Sequence, residues 1–481
     1  MLKKIFKTLV LILLLQTSGI AQTISVNEQI KNDAQLNNTS IGFYAVNTKT
    51  GEVLADINSD KNLKPASNLK LLTTIAALKV LGENTRFETK IMYSGYFDDD
   101  DVLTGDLYII GGGDPTIASK YYKNDKNRFI KELKTALKKA HIKTVDGNLI
   151  IVDTLFKGQS TPTTWVWGDI GNYYGAGVSS FAVFDNQYKI YFNTKVKLND
   201  TVKVLKIEPE TNIELINEVT ATKTRRDRSN IYGSELCNKR IITGELPINR
   251  DSFIVKGSIL NPELVLANYI KSELIKDSSL YVKGKTIIQR KAQKSDKLNL
   301  LAVYESPTVK EIVEQTNLHS INLYAEMLLR HIDLKLNGKG TNSSATKTLE
   351  DFWKEQGLNE TNMKFYDGSG LSSYNLISTK QLVKALQYAY ADTTIFKSFK
   401  SALPIGGKSG TLKRMFRKTN LVGKVYAKSG SMSGVRAYSG FIFAKKNENP
   451  IIFSIIFNNY TIKSNIVKAK IQQLIVSLSK N

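Results

Sequence analysis

Only one cysteine, three histidines and nine prolines occur among the 481 residues, and each scarcity removes a way of building or using the chain. With Cys237 alone, no intramolecular disulfide forms, so folding rests on buried apolar cores. His141, His319 and His331 make no His-x-x-x-His pair and no Cys/His cluster at metal-ligand spacing, which leaves metal catalysis without support and implies no cofactor. No Gly-x-Ser-x-Gly string is present, so a Ser-His-Asp hydrolase lacks its elbow serine. Outside the N-terminus no apolar run approaches the roughly 18 residues that suggest a membrane helix. Few prolines and a hydrophobic content of 42% also exclude a disordered or collagen-like chain.

The first residues stand apart. Lys3, Lys4 and Lys7 precede the apolar run Leu9 to Leu15, and Gly19-Ile20-Ala21 offers small residues for cleavage before Gln22. Residues 1–21 therefore read as a secretory signal peptide. The 67 basic and 44 acidic residues give a net charge of +23, with lysines scattered along the chain. In an exported protein that charge suits anionic envelope polymers or a peripheral contact with a membrane surface, and gives nucleic acid no role. The length implies two or three compact units.

Ile41 to Val46 and Val53 to Ile57 are apolar-rich runs around the turn-forming Asn47 to Gly51, a β-hairpin pattern. The following helix begins near Pro65, carries the stripe Leu69, Leu72, Ile75, Ala76 and Leu78, and ends at Gly82. Val435 to Phe443 and Ile451 to Phe457 form a second hairpin pattern about Lys445 to Asn449, and an amphipathic helix with Val467, Ile471, Leu474, Ile475 and Leu478 on one face closes the chain. Hairpins and helices at both ends predict one α+β domain assembled from both termini. Between about Phe87 and Leu298, short strand-like runs alternate with turns and predict an inserted, mostly β region.

Three short segments carry candidate chemistry. Ser67-Asn68-Leu69-Lys70 opens the first helix, and a three-residue spacing puts hydroxyl and amine on one face. A serine becomes nucleophilic when a base takes its proton, which a lysine does once burial and nearby positive charge favour its neutral form. The helix N-terminus adds N–H groups for an oxyanion. Ser320-Ile321-Asn322 lies between the helical patterns Val309 to Asn317 and Leu323 to Ile332, where helix capping reads as well as a function. Lys428-Ser429-Gly430-Ser431 ends the strand-like run Val425 to Ala427, and an edge strand with glycine admits an extended peptide, although an edge lysine also guards against aggregation.

Together and in this order, the three segments match the penicillin-binding pattern. The chain resembles the class C low-molecular-mass penicillin-binding proteins, the D-alanyl-D-alanine carboxypeptidase/endopeptidase family. Further segments extend the likeness over nearly all of the mature chain: Gly105-Asp106-Leu107-Tyr108, Gly111-Gly112-Gly113-Asp114-Pro115, Trp167-Gly168-Asp169, Tyr174-Gly175-Ala176, Asn322 to Glu326, and Asp367-Gly368-Ser369-Gly370-Leu371. The long gap between Ser67 and Ser320 looks like the subfamily's two-domain insertion. The resemblance implies that Ser67 is acylated, that Lys70 takes its proton, that Ser320 and Asn322 relay protons and hold the peptide, and that Lys428 and Ser429 bind the terminal carboxylate. Backbone N–H groups of Ser67 and Ser431 would form the oxyanion hole, and Asp169 matches an acidic residue near the substrate side chain. Ser429 stands where the family usually has threonine. Peptidoglycan peptides are then the substrates and β-lactams covalent inhibitors.

The resemblance implies a transpeptidase-like α+β domain, an antiparallel sheet flanked by helices with a helical subdomain, carrying two nested, mostly β insert domains. The expected boundaries are 22–88 with 299–481 for the acyl-transferase domain, 89–185 with 270–298 for insert II, and 186–269 for insert III. Gly407-Lys408-Ser409-Gly410-Thr411 imitates the third segment, and with Ala402 onward a relaxed phosphate loop, but no strand signal feeds it. A β-lactamase-like hydrolase and a non-catalytic wall-binding homologue are the rival readings. Rapid penicillin turnover without D-alanine release marks the first, and an unlabelled Ser67 marks the second.

Overall fold

Alternating apolar residues from both chain ends meet in one sheet. The computed structural model describes residues 28, 30, 32–98, 100–123, 127–277, 280–291, 297–358, 362–443 and 449–479. The segment 1–21 that reads as a signal peptide lies outside them, as does most of the expected turn at Lys445 to Asn449. No helix among the described residues is long and apolar enough to cross a membrane. The chain forms two compact units, the first comprising the described residues up to Glu83, Val313–Ile321 and those from Thr346 on, the second Asn84–Ile312 with Asn322–Ala345.

In the first unit, β1 (Ser40–Asn47) and β2 (Val53–Ile57) form the N-terminal hairpin, and α1 (Leu69–Val80) follows. From the C-terminal part come β3 (Val425–Met432), β4 (Val435–Ile442), β5 (Ile451–Asn458) and α2 (Ser464–Ser477). The sheet order is β2-β1-β5-β4-β3, antiparallel throughout, and β1 pairs with β5 from Ser40↔Asn458 to Asn47↔Ile451. Phe43, Ala45, Phe453, Ile455 and Phe457 pack with Val467, Ile471 and Ile475 of α2. Burying each large side chain contributes about 1.5–3 kcal/mol, enough to join segments some four hundred residues apart.

Residues Leu69 to Leu78 of α1 are all buried, so the helix is enclosed rather than one-sided as its stripe suggested. Ser67 also differs from expectation, because it sits in a 3₁₀ turn, Ala66–Asn68, just before α1. A third difference concerns β3. It runs on through Met432 instead of ending at Ala427, because Lys428↔Ser439, Ser429↔Tyr438 and Gly430↔Ala437 continue its ladder with β4. Tertiary pairing overrides the weak strand preference of serine and glycine.

The second unit contains a mixed five-stranded sheet in the order Thr286–Gln289, Leu149–Val152, Leu107–Ile110, Glu88–Tyr93, Asn299–Glu305. Helices Arg128–Lys139 and Pro262–Ile275 contribute Leu133 and Leu266 to a core with Ile109 and Ile151. Two three-stranded sheets, one built on Gln187–Asn193 and one on Cys237–Pro247, add Tyr188, Phe192 and Ile242 to the same core.

Candidate active site

Pro65 and Ala66 bend the chain into the first motif. Ala66 holds φ +46°, the left-handed region that costs a residue with a Cβ of order 1 kcal/mol or more. The bend delivers Ser67 at the head of α1, and one turn on, Lys70 Nζ lies 3.1 Å from Ser67 Oγ. Because α1 is enclosed, Lys70 has no exposed surface. Lys70 Nζ donates to the carbonyl of Ser369 at 2.6 Å, and Thr73 Oγ1 donates to that of Gly368 at 2.7 Å. In its unprotonated form an amine so placed would present its single lone pair to the serine proton.

The loop supplying those carbonyls is clamped by Asp367, which is fully buried. Its Oδ1 accepts from Gly370 N and Asn375 Nδ2, both at 2.8 Å, and its Oδ2 from Ser372 N at 2.6 Å. Gly370 has φ +79°, and a Cβ there would stand 1.9 Å from the Ala66 carbonyl oxygen. Only glycine allows the loop to seat against the serine turn.

Ser320 is left-handed too, with φ +58°, between the helices Val309–His319 and Asn322–Asn337. Lys428 Nζ donates to Ser320 Oγ at 2.8 Å and to the Ser429 carbonyl at 2.9 Å. Burial, and then the positive charge of Lys70, holds the Lys428 ammonium well below the usual lysine range. Repulsion is mutual, and it favours the state in which only one of the two amines is protonated. On the next strand residue but one, a Cβ on Gly430 would lie 2.7 Å from the Pro65 carbonyl and 3.2 Å from Ser67 N. This close approach sets the strand at Gly430 beside the N of Ser67. Asn68 Nδ2 donates to Ser439 Oγ of β4 at 2.7 Å, a second tie between the serine turn and the sheet.

Ser67, Lys70, Ser320, Lys428, Ser429 and Ser431 thus share one unit. Asn322 and Asp169 belong to the second, where Asn322 Nδ2 donates to the Tyr174 carbonyl at 2.8 Å and Tyr174 Oη donates to Asp169 Oδ1 at 3.2 Å. Burial raises the Asp169 carboxyl above its ordinary value against the opposing hydrogen bond from Tyr174.

A family model described as the D-Ala-D-Ala carboxypeptidase 3 (S13) family matches residues 22–481. The chain belongs to this family. Over 448 residues it is 28% identical to the D-alanyl-D-alanine carboxypeptidase of Actinomadura sp. (strain R39), covering 90% of this chain and 80% of that one. It is 26% identical to the penicillin-sensitive carboxypeptidase A of Dictyostelium discoideum, covering 88% of this chain and 83% of the relative. The crystal structure of penicillin binding protein 4 from Haemophilus influenzae superposes with a TM-score of 0.78 at 22% identity, over 92% of this chain and 96% of that one, which shows the shared α+β fold with its inserts. The protein is accordingly a serine-type D-Ala-D-Ala carboxypeptidase of peptidoglycan metabolism.

In this S13 chain the segment that imitates the third motif splits in two. Lys408 is exposed, and Ser409 Oγ accepts from Ile405 N at 3.0 Å, a loop-stabilising bond. Thr411, however, reaches the site, its Oγ1 accepting from Ser429 Oγ at 2.7 Å. Pattern reading missed this hydroxyl because the whole segment lacked a strand signal. It also gave the Asp367 loop no role, although Asp-Gly-Ser-Gly is a strong turn signature.

Proposed function

We propose that this S13 carboxypeptidase acts through an acyl-enzyme at Ser67, is penicillin-sensitive, and also cuts peptide cross-links with the same chemistry. The observation that carries the reading is the 3.1 Å approach of a wholly buried lysine amine to Ser67 Oγ, in the unit where Lys428 bonds to Ser320. Ser67 Oγ attacks the carbonyl carbon of the penultimate D-alanine while its proton passes to Lys70 Nζ. The oxyanion is held by the N–H groups of Ser67 and Ser431, a role supported by the close packing at Gly430. The C–N bond then breaks, and the proton reaches the departing D-alanine amine through Ser320. Water adds to the ester and gives a proton to Lys70, which passes it to Ser67 Oγ as the ester C–O bond breaks and the shortened peptide leaves.

In this proposal Lys428 and Ser429 bind the terminal carboxylate, Asn322 holds the peptide backbone, and Asp169 meets an amino group on the substrate side chain. The burial that raises the Asp169 carboxyl supports pairing it with such a group. We also propose that residues 1–21 direct export to the periplasm, that 22–88 and 299–481 serve as the acyl-transferase domain, and that 89–185 with 270–298 and 186–269 act as nested inserts. Intact-mass analysis after benzylpenicillin treatment tests the central step. One penicillin mass should be added and should map to Ser67, and Ser67→Ala should add none. A label on another residue, or no label on the wild type, sinks the acyl-enzyme assignment.

A further inference from the structure

The second unit carries a half-open cavity of about 690 Å³ that the reaction above does not use. Its volume falls within the roughly 300–1,000 Å³ of small-molecule sites. Three acids, Asp153, Glu235 and Glu263, and three bases, Lys157, Arg240 and Arg290, line it. The lining is therefore neutral overall, which disfavours phosphates and polyanions. Among the described residues no group of three or more His, Cys, Asp or Glu is placed to hold a metal ion. A neutral ligand with several hydrogen-bonding groups fits this balance.

Two observations narrow the chemistry. Glu263, at the start of the helix Pro262–Ile275, has a side chain 2% exposed, and Arg290 binds its Oε1 while its Oε2 has no hydrogen-bond partner. Burial raises this carboxyl above its ordinary value. A buried acceptor without a donor is costly, so a ligand N–H or O–H would be stabilising there. The loop of the cavity wall is also fixed in advance: Glu235 Oε2 accepts from Thr161 N and Thr161 Oγ1, both at 3.0 Å, and from Ser160 Oγ at 2.5 Å. Phe156, Ile170 and Val178 add apolar side chains to the same lining. Rings that present C–H faces together with hydroxyls and an amide match such a wall.

We propose that this cavity binds an N-acetylated hexosamine of the wall glycan. The inference rests on the reading of the protein as a peptidoglycan peptidase, whose stem-peptide substrates hang from a chain of such sugars. It gives the inserted unit a task of its own, holding the sugar while the peptide reacts elsewhere on the chain.

The test is isothermal titration of the full mature chain with the tetrasaccharide of N-acetylglucosamine, which carries no peptide and no charge, with a glucose tetrasaccharide as control. Wild type should bind the N-acetylated probe at least tenfold more tightly than the control. Glu263→Gln, which removes the charge at the cavity wall, and Gln159→Trp, which crowds its exposed rim, should each weaken binding at least tenfold. Both should keep wild-type labelling by a fluorescent penicillin and a wild-type melting profile, which together show that both units are folded. No binding by wild type, no preference for the N-acetyl group, or unchanged binding in the labelled Gln159→Trp variant overturns the sugar site. Failure of wild type to label counts instead against the acyl-enzyme reading, and the sugar site then stands or falls on the titration.

Discussion

Replacing Lys428 by methionine should damage acylation and stabilise the empty enzyme, and the two effects have separate physical origins. Methionine matches the side chain as far as Cε and removes the amine, so both bonds of Lys428 Nζ, to Ser320 Oγ at 2.8 Å and the Ser429 carbonyl at 2.9 Å, are lost. A charge-assisted bond to a substrate carboxylate contributes about 1.5–3 kcal/mol, or roughly one to two powers of ten in rate. Weakening the proposed proton relay through Ser320 adds to this, since positioned acid-base groups supply about 10²–10⁴. The second-order rate of labelling by fluorescent penicillin should fall at least about 100-fold on these figures. Lys408→Ala, on an exposed side chain, should change it less than about threefold. On the stability side, the folded site holds the Lys428 ammonium below its unfolded value, by burial first and by Lys70 second. The unfolded chain then binds more protons between that lowered value and the ordinary 10.5, so wild-type stability rises with pH across this window. The cost is fully present below the folded value and vanishes above the unfolded one. Melting temperatures at pH 6 to 10 should show Lys428→Met at or above wild type in neutral buffer, with the gap closing as pH rises. A gap that widens with pH, or a Lys408→Ala variant that loses labelling while Lys428→Met keeps it, refutes the reasoning.

Asp367→Asn should lower the melting temperature, because one carboxylate oxygen becomes an amide NH₂ facing a buried donor, a loss of about 1–3 kcal/mol. If the Asp367 loop positions Lys70 through the Ser369 carbonyl, penicillin labelling should also slow about tenfold with a displaced pH–rate profile, a readout that plain destabilisation does not move. An unchanged profile would reduce Asp367 to a structural clamp. Thr411→Val should raise the KM for a peptide with a free C-terminal carboxylate about three- to tenfold with little change in kcat, since Ser429 Oγ loses its hydroxyl partner. Thr411→Ser should restore it, and an unaltered KM in the valine variant would remove Thr411 from the site.

The parts of the fold legible in the sequence are those with local signals. Ile41 to Val46 and Ile451 to Phe457 alternate or run apolar between turn residues, and they are strands in the structure, paired as the both-termini reading required. Pro65 and Gly82 bracket α1, and Gly82 has φ +91°, as a helix stop should. What escaped reading depends on partners far along the chain. Lys428 to Met432 has weak strand preference, and its ladder with β4 makes it a strand. Lys70 finds its carbonyl at Ser369, roughly three hundred positions away, and no spacing rule reaches that far. Thr411 was hidden by a different cause: its segment copies a true motif, so weighing the segment as a whole concealed that one of its hydroxyls faces Ser429.

Several features that reduce the stability of the unit meet at one place. Ala66 and Ser320 both hold left-handed backbone despite their side chains, and Lys70 and Lys428 are both amines without exposed surface. A core with none of these would be more stable, which is the pattern expected where function opposes stability. The coupling also gives the empty site a direction. Lys428 resists its proton while no anion is present, and a substrate carboxylate arriving beside it favours the ammonium form. A charged Lys428 in turn disfavours a proton on Lys70, the state a base needs before it can accept one from Ser67. With the roles proposed for Lys428 and Ser67, binding of a free C-terminus would therefore prime the nucleophile, and a substrate lacking that carboxylate would meet a site less ready to react.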